Sequence, residues 1–183
     1  MSIETEIKVS IENPVSFCRQ LVALKPDPVS ARHFEDNHLF DFPDRRLHTG
    51  HCLLRVRLTG RRSFLTYKGP PRQEDIFKTR EELETELEDG PAMLQILEKI
   101  GMQVSFRYQK YRQEYALDGV HVAVDETPIG NYVEFEGSKE GIQNLAHTMG
   151  IREEQFLNAS YYSLYIAYCR ERDTRIRNFQ FPP

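Results

Sequence analysis

A two-residue alternation of apolar and charged side chains restricts this chain more than any other feature. At its start Ile3, Ile7 and Val9 alternate with Glu4, Glu6 and Lys8. A strand sends successive side chains to opposite faces, so one face is apolar and the other carries two carboxylates and an ammonium. The pattern returns along the chain. Leu54, Val56 and Leu58 alternate with Arg55 and Arg57, and Leu65 to Lys68 ends a second strand of that type. Lys78, Arg80, Glu82 and Glu84 share one face of the segment 77–87. Lys110 and Arg112, then Val120 to Asp125, then Glu134 and Glu136 continue the series. A solvated face explains one such strand, and its cross-strand ion pairs contribute only about 0.2–1 kcal/mol each. A whole series calls for a shared interior. If the sheet closes, the charged faces line a lumen of mixed sign. Basic groups there can clamp phosphates, and carboxylates can hold a hard cation.

The chain has 183 residues, enough for one domain with a real core; residues 1–170 are expected to form it, with 171–183 as a charged tail. Acidic residues number 28 against 24 basic ones, for a net charge of −4, so electrostatics give no case for nucleic-acid binding. The chain lacks a long apolar run and enters a strand at once. No membrane span or signal peptide is expected, and the expected location is cytoplasmic. Cys18, Cys52 and Cys169 are far apart in sequence and form no metal-ligand pair, so reduced core thiols are expected.

Helices are expected over 15–24, capped by Asn13-Pro14, over 92–100, over 139–149 after Ser138, and across the aromatic stretch 156–169. Met93, Leu94, Leu97 and Ile100 form the apolar side of the second, and Tyr161, Leu164, Tyr165 and Tyr168 recur at helical spacing in the last. Strands are expected over 32–42, 53–58, 63–68, 77–87, 103–117, 120–125 and 131–137, with turns at 43–46, 49–50 and Asp118-Gly119. Residues 72–76 read as a polar loop; Arg72 is expected at the surface, in a loop that could reach a nucleobase. The six histidines show no ligand spacing, although His121 alternates onto the face of Asp125.

The ordered set Glu4-x-Glu6-x-Lys8, Arg55-x-Arg57, Lys68, Lys78-x-Arg80-x-Glu82-x-Glu84, Lys110-x-Arg112, Asp125 and Glu134-x-Glu136 resembles the CYTH superfamily, the triphosphate tunnel metalloenzymes. The wording of Tyr67-Lys68-Gly69-Pro70 and Lys78-Thr79-Arg80-Glu81-Glu82 looks most like the class IV adenylate cyclase branch. The resemblance spans residues 3 to 168. It implies an α+β fold: a closed antiparallel β-barrel of about eight strands, with helices packed outside. It implies Mg²⁺ or Mn²⁺ at Glu4, Glu6, Glu134, Glu136 and Asp125. Lys8, Arg55, Arg57, Lys68, Lys78, Arg80, Lys110 and Arg112 would bind the substrate's phosphates. Lys8, Arg57, Arg80 and Glu82 would serve the reaction, with Glu84 steering the basic groups. The implied partner is a nucleoside triphosphate or another inorganic or organic triphosphate, with no nucleic acid and no membrane; a homodimer is compatible with it. One departure stands out. Many members carry a cation before a C-terminal Ser-Tyr pair, and here Ala159 precedes Ser160-Tyr161. Arg152 or an arginine within 170–177 is the candidate substitute.

Phosphoryl chemistry asks a protein mainly for positioning and charge neutralisation. An arginine fork meets two phosphate oxygens, and a lysine is a compact point charge. Carboxylates repel the substrate unless they recruit a divalent cation. A cyclase aims the ribose 3′-hydroxyl at the α-phosphate, whereas a triphosphatase aims water at the terminal phosphate. The same clamp serves both, and also serves a module that binds phosphorylated metabolites without turnover or a barrel that only docks a partner.

Overall fold

The computed structural model describes residues 2–72, 76–175 and 178–182. The strands are β1 (Ser2–Ile11), β2 (Asp27–Asp41), β3 (Leu53–Thr59), β4 (Arg62–Lys68), β5 (Lys78–Leu87), β6 (Gln103–Leu117), β7 (Val120–Thr127), β8 (Gly130–Glu136) and the short β9 (Phe156–Leu157). They form one antiparallel sheet in the order β5-β4-β3-β2-β6-β7-β8-β1-β9, and β5 also pairs with β1. That last pairing closes an eight-stranded barrel. β1 is the seam. It takes β5 along residues 2–6 and β8 along residues 6–11. On the edge that β5 leaves, β9 pairs with Lys8 and Val9.

The helices are α1 (Pro14–Ala23), α2 (Arg46–Thr49), α3 (Gly90–Lys99), α4 (Lys139–Thr148) and α5 (Tyr161–Glu171). Asn13, Asp89, Ser138 and Ser160 each accept a backbone N–H three residues on, satisfying a donor the first turn leaves open. The apolar outer faces of β1, β7 and β8 bury Ile7, Val9, Val122, Val133 and Phe135 beneath α1 and α4. α3 covers Val56 and Phe40 with Leu97. α5 lies across one end of the barrel, where Tyr161, Tyr165 and Cys169 meet Phe106 and Tyr108.

Several expectations shift. β2 starts at Asp27, well before residue 32, because the long β6 offers it partners out to Ala116. The turns around 43–50 enclose the helical turn α2, which Asp41 holds by accepting the N–H groups of Phe42, Leu47 and His48. The stretch 156–169 is not one helix. Phe156 and Leu157 join the sheet, and the helix begins only at Tyr161. Ile100 is exposed rather than inward. The C-terminal segment is not a bare tail. Phe179 is buried, stacks on Tyr165 at 5.0 Å, and bridges in parallel to Tyr108. It covers the stretch of β6 that β7, paired only from Tyr111 onward, leaves open. The loop expected at 72–76 lies largely outside the described residues. Arg72 itself is exposed, and its N–H bonds the Thr79 carbonyl.

Gly90 opens α3 against the β3–β4 hairpin. A Cβ there would sit 2.6 Å from both Leu58 Cδ2 and Ser63 Cβ. Gly90→Ala is therefore expected to cost about 1–3 kcal/mol through overpacking. A urea midpoint equal to that of the parent protein would rule this out.

Candidate active site

The charged faces of β1, β3, β5, β6 and β8, with Lys68 of β4, turn inward around a cavity of about 740 Å³. Glu4, Glu6, Lys8, Arg55, Arg57, Lys68, Lys78, Arg80, Glu82, Lys110, Arg112, Glu134 and Glu136 all line it, as does Glu84. Strand direction gives the lumen two unlike ends. β1, β2, β4 and β7 run one way, and the other barrel strands run against them. Glu84, Glu114, His121 and Glu136 therefore gather toward one end. Phe106, the α2 turn with Arg45 and His48, and the start of α5 with Tyr162 form the other.

The side chains are locked in pairs. Lys68 reaches Glu4 at 2.7 Å and Glu82 at 2.9 Å, and Lys78 reaches Glu6 at 2.9 Å. Lys8 donates to Glu134 at 2.6 Å and lies 4.4 Å from the centre of the Tyr161 ring. Arg112 grips Asp125 through two nitrogens at 2.6 and 2.7 Å and also bonds Glu134. Lys110 lies 3.0 Å from Asp125 and 3.6 Å from Glu35. Arg57 spans Glu35 at 3.2 Å and Glu84 at 3.0 Å. Arg55 touches Thr66, Glu84 and the Tyr108 hydroxyl.

The pairing leaves open donors. The Nε–H groups of Arg55 and Arg57 are buried without a hydrogen-bond partner among the described residues. Arg80 Nε is 3.5 Å from Glu4 but lacks hydrogen-bond alignment. Buried donors are rarely left unpaired, since each forgoes water for nothing. Here the three guanidinium groups face the same cavity.

Charge balance differs along the lumen. Burial works against the charge of Glu134, yet Lys8 and Arg112 outweigh it and hold its carboxyl well below the usual range. Burial, with Glu6 and Glu82 adding, pushes Glu4 up to about 7 against the pull of Lys68. Glu136 is also raised, by burial and by Glu4 and Glu6. Glu6 goes the other way: Lys78 and Lys8 outweigh its burial.

An acid whose folded pKa exceeds its unfolded one binds more protons when folded. Its contribution to stability is present below about 4.5 and is lost as pH rises through about 7. The stability of the parent protein minus that of Glu4→Gln should therefore fall across that window. A flat difference in urea-derived free energy would contradict the assignment.

Glu4, Glu6 and Glu136 test the fit of a divalent cation. Among the described residues no three acidic, His or Cys side chains close on one point as ligands do. The donor set is nevertheless all carboxylate oxygen, which suits a hard ion. The raised proton affinity of Glu4 and Glu136 marks a corner with surplus negative charge. Glu4, Glu6 and Glu136 thus fit such an ion in charge and chemistry. Asp125 does not: it is fully buried, lies behind the lining, and is occupied by Arg112, Lys110 and the Tyr161 hydroxyl at 2.5 Å. Its expected place among the metal ligands gives way to that of a brace. Glu134, tied to Lys8 and Arg112, has less to offer an ion than the other three.

No described arginine of the C-terminal part stands in for the cation absent at Ala159. Arg152 is exposed beside Glu154, and Arg170, Arg172 and Arg175 are exposed as well; Arg177 lies outside the described residues. The arginine that lines that end is instead Arg45, next to α2.

A CYTH domain model matches residues 2–160. The chain belongs to the CYTH domain family. A proposed adenylate cyclase of Methanocaldococcus jannaschii is 29% identical over 173 residues, covering 88% of this chain and 98% of its own. A conserved hypothetical protein of Pyrococcus furiosus superposes with a TM-score of 0.74 at 26% identity, over 86% of this chain and 97% of its own. A proposed adenylyl cyclase from Hippeastrum, reported with a dominant triphosphatase activity, shares the fold at a TM-score of 0.65 and 20% identity, over 94% and 97% of the two chains.

The CYTH pattern covers most of the lining but passes over Tyr108 and the α2 turn, and over Glu35 and Thr66, which hold Arg57 and Arg55 from behind it. β2 carries polar residues at both parities around Glu35, Asp36 and Asn37, so alternation declares no inner face there. Among the described residues no helix is long and apolar enough to cross a membrane.

Proposed function

We propose that this CYTH protein is a metal-dependent enzyme that binds a triphosphate in its lumen and converts ATP into cyclic AMP and pyrophosphate. The observation that carries the reading is the set of buried, partnerless guanidinium donors of Arg55 and Arg57, with Arg80 beside them, facing one cavity. Such donors are complete only when acceptor oxygens arrive, and a phosphate chain supplies several. Arg55, Arg57 and Arg80 would orient the chain, while Lys8, Lys68 and Lys78 exchange carboxylate partners for phosphate oxygens. Glu4 and Glu6, released from Lys68 and Lys78, would hold Mg²⁺ or Mn²⁺ together with Glu136. When bound, that ion neutralises phosphate charge and polarises the reacting phosphorus. Tyr162, Phe106 and His48 offer an aromatic wall at one end for the organic group. The cyclase name proposed for the M. jannaschii relative supports this form.

A second reading is hydrolysis of the terminal phosphate, favoured by the triphosphatase activity reported for the Hippeastrum protein. Incubation with ATP or tripolyphosphate, each with Mg²⁺ or Mn²⁺, separates them. Cyclic AMP and pyrophosphate in equal amounts are the expected products from ATP. Orthophosphate alone would replace the cyclase reading with the hydrolase, and no product and no binding would remove both.

A further inference from the structure

We propose that Glu35 is a positioning residue. It holds Arg57 and Lys110, from the two strands that flank its own, in the geometry that meets a phosphate chain. The inference rests on reading the cavity as a triphosphate site.

Glu35 sits on β2, between β3 and β6. Its carboxylate is only 1% exposed and does not line the cavity, whereas Arg57 and Lys110 do. One oxygen lies 3.2 Å from Arg57 Nη1 and 3.5 Å from His33 Nε2. The other lies 3.6 Å from Lys110 Nζ and 3.4 Å from Asn37 Nδ2. A ligand in the lumen therefore meets the two cations and not the acid behind them.

The consequence for Arg57 is specific. Glu35 ties Nη1 and Glu84 ties Nη2, so both tips of the fork are fixed and its plane is set. The second hydrogens of Nη1 and Nη2 remain for a ligand, while the Nε–H is buried without a partner among the described residues. Lys110 is equally confined, because its other carboxylate, Asp125, is shared with Arg112 and Tyr161. Without Glu35, Arg57 keeps the exposed Glu84 and the Phe64 ring 4.7 Å from its Cζ, and the Nη1 end of its fork can swing.

Charge balance alone would also place an acid here, and the two roles differ in what they predict. A purely structural acid would change stability and substrate affinity together. A positioning acid changes the rate through orientation. Losing its negative charge leaves phosphate attraction equal or stronger, because a repulsive charge near the anion is gone.

Glu35→Gln keeps shape and removes charge. In the ligand-free protein, ¹⁵N relaxation of the Arg57 Nε–H is expected to show new nanosecond mobility. With ATP or tripolyphosphate and Mn²⁺, kcat should fall about ten- to a hundred-fold while KM does not rise. In an Arg57→Ala background the same change should cost less than in the parent protein, since the route through Arg57 is gone and only that through Lys110 remains. Unchanged Arg57 mobility would overturn the proposal, as would a raised KM at constant kcat or full additivity with Arg57→Ala. If the parent protein turns over no triphosphate, the cavity reading fails, and the mobility measurement still decides the role of Glu35. Should Glu35→Gln not fold, Glu35→Asp, which withdraws the carboxylate by one methylene, takes its place in each measurement.

Discussion

Removing Arg55 and Arg57 together is expected to lower triphosphate turnover by about a thousand-fold or more. Loss of a single preorganised donor at a developing charge typically costs about 10²–10³ in rate, and two neighbours sharing Glu84 do not add fully. Both guanidinium groups line the cavity, and each keeps an unpaired Nε–H there. The double alanine variant also leaves Glu84 without its two cations, so repulsion replaces attraction at that wall. Arg55→Lys with Arg57→Lys should fall between the two, since charge is kept and the planar fork is lost. Calorimetry with tripolyphosphate provides the check. Affinity in the double alanine variant equal to that of the parent protein would mean that the phosphates bind elsewhere.

Asp125→Ala is expected to destabilise the protein by about 3–5 kcal/mol, the range for breaking a buried charge cluster from one side. The carboxylate has no exposed surface and accepts from Lys110, Arg112 and Tyr161, which come from β6 and α5. Its loss leaves Lys110, itself almost fully buried, with only Glu35 at 3.6 Å as a carboxylate partner, and takes away the acceptor of the Tyr161 hydroxyl. Tyr161 anchors the end of α5 over the lumen, so that helix should loosen first. Hydrogen exchange in 161–171 should therefore rise more than in α4. A urea-derived loss below about 1 kcal/mol, the ordinary size for a substitution away from such features, would show that the cluster is not held from Asp125.

The barrel was legible because closure demands the same two-residue period from every strand, and β1, β3, β5, β6 and β8 obey it. Glu4, Glu6, Arg55, Arg57, Arg80, Lys110 and Glu134 all arrive on one interior as the alternation requires. β2 was the exception. Its polar residues occupy both faces near Glu35, because the outer face there pairs Asp36 with Arg107 and His38 instead of packing under a helix. The end of the chain was also opaque. Two phenylalanines, Phe179 and Phe181, are too short a run to give a periodic signal, and the burial of Phe179 depends on the edge that β6 leaves uncovered.

What the amino-acid sequence determined by itself was which side chains share a face, because φ/ψ geometry couples facing to residue number over short distances. It therefore settled which charged types share a face, while the closing of those faces into a lumen rests on the long-range pairing of β5 with β1. Which acid meets which base was decided only by the register of strands distant in sequence. Those pairings, in turn, made Asp125 a brace and left Arg55 and Arg57 with open donors. Register depends on the packing of the whole barrel, and no local pattern encodes it.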